Sequence, residues 1–271
     1  MKLKINSMAT TRPFEVTLNV SGSVKVKDKL RFDTLKELNA GEVFQSGIEV
    51  QSSEEGFDIV VTVYTSQQEK ANKIALLFVG RMLDVLSIKL NVPLFVSLHS
   101  DWKYVRKTNQ KVVLQKQDFQ SSFQFSRLID DNYATFLRGL SWYRKALYTE
   151  DPYDKYFAFW LSIEVIANKF NPNKENCRDP KTGRHKGSIC NIWECFKHLW
   201  GESSNWEIIR GQDRWIDENA EIRNKIGHGT FSVDIRSVDE VLQKLDLLRQ
   251  VSYKFLLDWA RKEFHIDLDE N

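Results

Sequence analysis

A chain of 271 residues is long enough for one large domain or two modest ones, each with a real core. Its 39 basic and 37 acidic residues leave a net charge of +2, which excludes an overall basic field, so any nucleic acid must be met by a local patch. No stretch approaches the roughly 18 apolar residues of a membrane span, Met1-Lys-Leu-Lys-Ile-Asn lacks the apolar core of a secretory signal, and three cysteines argue against a disulfide framework and suit a reducing compartment, so a cytoplasmic protein without membrane attachment is expected.

The first 125 residues are strand-like. Phe14 to Val20 alternates apolar and polar, and Ser21-Gly22 then turns into Val24-Lys-Val-Lys, a hairpin signal. Gly47–Val50 and Phe57–Tyr64 read as further strands, and Asn91–Leu98 and Lys111–Leu114 as the completion of the sheet. Between them Glu69–Leu90 is helical, with Ile74, Leu77, Phe78, Met82, Val85, Leu86 and Ile88 at helical intervals. Asn91 and Pro93 stop it. The expectation is an α+β domain over residues 1–125, a β-sheet with one long helix packed on it. It carries no catalytic constellation, and recognition of a ligand or protein is its expected role.

Residues 126–271 are patterned as an all-α domain. Asp130–Tyr148 reads as one helix, with Tyr133, Phe136, Leu137, Leu140 and Tyr143 on its apolar side. Asp151-Pro152 supplies an N-cap and a first-turn proline for the next, Tyr153–Phe170, with Phe157, Trp160, Leu161, Ile163, Val165 and Ala167 as its core positions. A long loop, Asn171–Ser188, follows, and loops of that length inside compact domains tend to be functional. Helical pattern resumes over Ile189–Trp200, Asn205–Ile226 and Arg236–Phe264. The last helix has a wide apolar stripe (Val238, Val241, Leu242, Leu245, Leu248, Phe255, Leu256 and Trp259) that suits the core alone or the core and a dimer interface.

Arg223-Asn224-Lys225-Ile226-Gly227-His228-Gly229 is the most informative stretch. It puts a guanidinium, a side-chain amide and an imidazole at a helix end, the groups that bind phosphate and move a proton without a metal. In a continuous helix, residues five apart lie about 140° from each other. Gly227 and Gly229 bracket the histidine, and glycine past the last turn is the usual terminator. The helix is therefore expected to end near Gly227, with a turn that lets His228 swing toward Arg223. The imidazole would sit at the negative end of the macrodipole. A similarly spaced pair, Arg178 and His185, falls in a Pro/Gly-containing loop and carries no weight.

The helical half, the long loop after its second helix and the Arg223-Asn224-x-x-x-His228 motif together resemble the HEPN family of helical domains, over about 130 residues (130–264). The family's ribonucleases carry Arg, four to six residues, then His, often with Asn directly after the Arg. The resemblance implies a metal-independent endoribonuclease without a cofactor, which uses the RNA's own 2′-hydroxyl and leaves a 2′,3′-cyclic phosphate. It makes His228 the general acid/base, Arg223 the phosphate holder and Asn224 a group that orients the imidazole or donates to the phosphate. It also implies a homodimer with two motifs face to face, and a toxin or anti-phage defence role in which the first domain answers a regulatory ligand or protein. Catalytically inactive HEPN modules that dimerise or bind nucleotide or RNA are the alternative. Lys225, Arg184 and Lys186 are candidate RNA-phosphate contacts. Glu164, on an otherwise apolar helix face, is a candidate partner for Arg223.

Cys177, His185, Cys190, Cys195 and His198 cluster in sequence, but no Cys-x2-Cys knuckle is present and the last three Cys/His positions fall in a helical pattern, where cysteine is commonly a small hydrophobe. No metal is expected. No phosphate-binding glycine loop and no ordered Ser/His/Asp triad is present, which argues against NTPase and serine hydrolase classes.

Overall fold

The computed structural model describes residues 12–37, 43–98, 111–232 and 234–268. The fold is mixed α+β, and it divides into two compact units, Met1–Leu83 with Leu94–Arg127, and Asp84–Pro93 with Leu128–Asn271.

The first unit holds strands β1 (Arg12–Gly22), β2 (Val24–Val26), β3 (Leu30–Glu37), β4 (Val43–Ser52), β5 (Gly56–Thr65), β6 (Leu94–Ser97) and β7 (Val112–Leu114), with most of α1 (Gln68–Leu90). Five strands form an antiparallel sheet in the order β3-β4-β5-β1-β6. Period-two alternation puts Val16, Leu18 and Val20 of β1 and Phe57, Ile59 and Val61 of β5 into the core, where all are buried. The hairpin expected at Ser21-Gly22 does not form. β1 already has β5 on one edge and β6 on the other, and β2 instead pairs in parallel with β7 as a separate two-stranded sheet. Gly56 permits the close pairing of β5 with β1, since a Cβ there would lie 2.1 Å from the Val20 carbonyl oxygen. The sheet face is covered by two helices rather than one: the first turns of α2 (Lys116–Tyr148) bring Phe119 against Phe57 and Phe123 against both Phe32 and the α1 residue Phe78.

In the second unit α2 breaks at Tyr133, whose φ of −140° and ψ of 47° are non-helical, then continues to Tyr148. The second unit also contains α3 (Pro152–Phe170), α4 (Ser188–Trp200), α5 (Trp215–Gly227) and α6 (Ile235–Phe264). Asp151 caps α3 as expected, its carboxylate accepting from the amides of Tyr153 (2.9 Å) and Asp154 (3.0 Å). The core side of α3 is Tyr156, Phe159, Trp160, Ile163 and Ile166, whereas Phe157, Leu161 and Val165 are half-buried, a phase error in the sequence reading. Gly139 lets α2 approach α3: a Cβ there would sit 2.6 Å from Ile166 Cδ1. The helix expected over Asn205–Ile226 starts only at Trp215, because Gly211 takes a left-handed φ of 70° and Trp206 and Ile209 turn into the core from a loop. Among the described residues no helix is long and apolar enough to cross a membrane.

Candidate active site

α5 is fixed to α3 through Asn219, buried at its centre. Tyr156 Oη donates to Asn219 Oδ1 at 2.6 Å, and Asn219 Nδ2 donates to the Trp215 carbonyl at 2.6 Å. This contact aims the next turn of α5 at Phe157 and Glu164 of α3. Glu164 is buried, and its carboxylate accepts from Arg223 Nε at 3.0 Å and from Nη2 at 3.2 Å. The guanidinium carbon lies 5.3 Å from the Phe157 ring centroid. Gly227 leaves room for that ring, since a Cβ there would come within 3.2 Å of Phe157 Cε2.

The donor count at Arg223 is informative. A guanidinium has five N–H groups. Glu164 takes Nε–H and one Nη2–H, and Asn224 Oδ1 takes one Nη1–H at 3.1 Å. One N–H on each terminal nitrogen remains to meet the oxygens of a phosphate. The Arg223 side chain is 24% exposed against 9% for Glu164, so the carboxylate is the inner partner and the guanidinium the outer one. With Asn224 Oδ1 committed to Arg223, its amide nitrogen is left to donate outward.

α5 ends at Gly227, as the glycines predicted, and the left-handed turn that closes it falls at Gly229. His228 keeps near-helical angles (φ −94°, ψ 0°) and its amide donates to the Asn224 carbonyl at 2.9 Å. Gly229 takes the left-handed conformation (φ 66°), its amide donates to Ile226 O at 3.1 Å and that of Thr230 to Lys225 O at 2.9 Å. This is a Schellman ending. The histidine therefore stays at its helical azimuth and does not swing toward Arg223. Its imidazole is exposed and makes no hydrogen bond or ion pair with the described residues. The chain beyond is held by Tyr153, whose hydroxyl donates to Ser232 O at 3.2 Å and whose ring meets Phe231 at 5.4 Å.

The other predicted site residues are spread out. Lys225 pairs with Glu221 at 2.7 Å on the exposed face of α5, an i,i+4 contact that raises the lysine's affinity for its proton. Arg184 and Lys186 lie exposed in the loop between α3 and α4, and none of their contacts reaches α5. Phe157 and Tyr153 were assigned no site role from the sequence; the signal was an aromatic pair four apart on one side of α3.

The cysteine expectation holds for Cys195 and is overturned for the other two. Cys177 and Cys190 form a disulfide, with Cα atoms 5.6 Å apart, which ties the loop to the first turn of α4. Cys195 is a buried free thiol, His198 pairs with Glu263 at 2.6 Å, and His185 Nδ1 accepts from the Gly187 amide at 2.9 Å, so the Cys/His cluster is dispersed among separate partners.

No family model, no curated protein and no solved structure matches the chain. The HEPN reading rests on the residues and geometry above.

Proposed function

We propose that the protein is a metal-independent endoribonuclease of HEPN type, with Arg223, Asn224 and His228 as its catalytic residues. The observation that carries this reading is the clamped Arg223. A buried carboxylate and a neighbouring amide oxygen hold the guanidinium and leave one N–H on each terminal nitrogen, five residues before a solvent-exposed imidazole.

In the proposed reaction the 2′-oxygen of RNA attacks the adjacent phosphorus and the 5′-oxygen of the next nucleotide leaves. His228 accepts the 2′-hydroxyl proton or, as the imidazolium, gives one to the leaving oxygen. Arg223 binds the non-bridging oxygens and stabilises the charge that grows on them. The Asn224 amide nitrogen donates to the same phosphate. The products are a 2′,3′-cyclic phosphate and a 5′-hydroxyl, and DNA, which lacks the nucleophile, is spared. Arg223 and His228 sit at different azimuths of α5, so a second copy of the chain supplies the complementary pair. Ile235 (82% exposed) and Leu242 (50% exposed), two turns apart at the start of α6, offer it an apolar strip. The reading places the enzyme in the cytoplasm as a toxin or anti-phage effector, with the sheet unit as the sensor of a ligand or protein.

A catalytically inactive HEPN-like module for dimerisation or RNA binding is favoured by the same ion pair seen the other way: Glu164 satisfies Arg223 within the fold, and His228 does not reach it. Labelled RNA incubated in excess EDTA with wild type, Arg223→Ala and His228→Ala separates the two. Cleavage by wild type alone, with cyclic-phosphate ends and matched DNA intact, is the expected result. Intact RNA in every lane assigns the module reading.

A further inference from the structure

The loop that joins α3 to α4 is an ordered finger. Arg178 and His185 bridge across it, the Asp179 amide donates to Arg184 O at 2.8 Å, and the Lys186 amide donates to Cys177 O at 2.8 Å. At the tip, Asp179 Oδ1 accepts from the Thr182 amide (2.8 Å), the Lys181 amide (3.0 Å) and the Thr182 hydroxyl (3.0 Å), which holds this carboxyl below its ordinary range. The only carboxylate between Arg178 and Lys186 is thus turned onto its own backbone. Arg178, Lys181, Arg184 and Lys186 are all exposed around it, with Arg178 paired to Glu175 at 3.2 Å.

The base of the finger is covalent. Cys177 precedes its first arm and is fully buried; Cys190, in the first turn of α4, is half-buried and follows its second arm. Asn171, 4% exposed, donates from Nδ2 to Cys177 Sγ at 3.6 Å and to Asn191 Oδ1 at 2.8 Å, and Asn191 in turn donates to Asn168 Oδ1 at 2.9 Å. The two sulfurs are therefore unlike. Cys190 is the more exposed half of the bond, and Cys177 is a leaving group with an N–H aimed at it.

We infer that the Cys177–Cys190 bond is a reversible redox clamp that holds this cationic finger in the form that takes RNA phosphates; the choice of RNA rests on the ribonuclease reading. A dithiol reductant attacks Cys190 Sγ, the S–S bond breaks, and Cys177 leaves as a thiolate stabilised by the Asn171 N–H before it takes up a proton. The second sulfur of the dithiol then displaces Cys190, so the reductant is oxidised to its disulfide by two electrons and the protein holds two thiols. In a compartment that keeps thiols reduced, a disulfide of this kind reports oxidation. The finger is loose at rest and set when the clamp closes.

The test compares full-length oxidised protein with the same protein in dithiothreitol, beside a Cys177→Ser/Cys190→Ser variant. Trypsin cuts after Lys181 and Arg184 read the finger, and anisotropy of a labelled 2′-O-methyl RNA strand, which binds without being cleaved, reads its use. If the finger is set in about nine-tenths of oxidised molecules and about a tenth of reduced ones, cuts accelerate about ninefold and the RNA Kd rises about ninefold. The serine pair behaves as reduced protein and ignores dithiothreitol, and Arg184→Glu/Lys186→Glu weakens RNA binding by the oxidised form. Equal cutting rates in both redox states overturn the clamp, as do faster cuts with an unchanged Kd. If neither redox state binds the strand, the RNA reading fails, and the cutting rates still decide the clamp. Wild type alone suffices should the serine pair not fold.

Discussion

Glu164→Gln tests whether the clamp on Arg223 serves catalysis or only the fold. The carboxylate accepts from Nε at 3.0 Å and from Nη2 at 3.2 Å; glutamine keeps one oxygen but turns an NH2 group toward the other N–H. Hydrogen bonds to charged groups contribute about 1.5–3 kcal/mol each when buried. The arginine is about a quarter exposed, so water replaces part of the loss, and a destabilisation of about 2 kcal/mol is expected. That is tolerable within a folding stability of about 5–15 kcal/mol. The same loosening, felt at the transition state, lowers kcat by about thirtyfold at 1.4 kcal/mol per decade. KM does not rise with it, because removal of a negative charge behind the phosphate site leaves ground-state attraction intact or stronger. A fluorogenic RNA substrate gives kcat and KM, and urea titration of the same preparations gives stability. Unchanged kcat in a variant that has lost the 2 kcal/mol would refute the reasoning and leave Glu164–Arg223 as a structural pair. Arg223→Lys, which keeps the charge but loses the fork, is expected to track Glu164→Gln in kcat.

Other consequences are simpler to check. Gly229→Ala forces a Cβ onto a φ of 66° and is expected to cost about 1–2 kcal/mol in urea titrations, whereas Gly227→Ala trades better helix propensity against a 3.2 Å approach to Phe157 and stays within about 1 kcal/mol of wild type. Gly56→Ala drives a Cβ to 2.1 Å from Val20 O, so β1 and β5 must part at their paired end; a loss of about 3 kcal/mol or more is expected, and a melting temperature within a few degrees of wild type would contradict the register. Burial pushes the Cys195 thiol from 9.0 up to about 12, so in reduced protein at mildly alkaline pH iodoacetamide should reach Cys190 first and Cys195 only on unfolding. Because its folded value is the higher one, the stability linked to Cys195 is complete below pH 9 and is lost as pH rises toward 12, which pH-dependent urea midpoints will show. Ile235→Asp/Leu242→Asp should convert the proposed dimer to monomer by sedimentation velocity, and a dimer that survives both charges removes α6 from the interface.

The fold was legible in the sequence wherever a local rule decided it. The Asp151-Pro152 cap, the stop of α1 at Asn91, which takes a left-handed φ of 50°, and the glycine ending of α5 all depend on neighbours a few residues away. The misses are long-range. β3 was not recognised because its charged residues, such as Arg31, sit on an edge strand where Glu49 of β4 pairs with them. The parallel partner of β2 lies at Val112–Leu114, far beyond the range of any turn signal. One long-range pair was legible: Glu164, a carboxylate on an apolar face, does pair with Arg223, 59 residues on, where α3 crosses α5. The disulfide joins a position within the long loop to one just after it, and spacing alone does not separate such a pair from free thiols.

The ending of α5 also bears on how the proposed site is assembled. Had the chain turned at Gly227, one copy would hold its imidazole beside its own guanidinium, and a monomer would suffice. The Schellman turn at Gly229 keeps His228 on the helix surface about 140° from Arg223. Glu164, Phe157 and Asn224 meanwhile hold the guanidinium in place, so Arg223 does not travel toward the imidazole. A phosphate held by the remaining Arg223 N–H groups therefore needs its proton carrier from elsewhere. A second α5 brought in by the apolar strip at the start of α6 delivers one, and symmetry returns the favour at the other motif. On this reading activity rises with the square of protein concentration below the dimer dissociation constant, a dependence that an active monomer does not have.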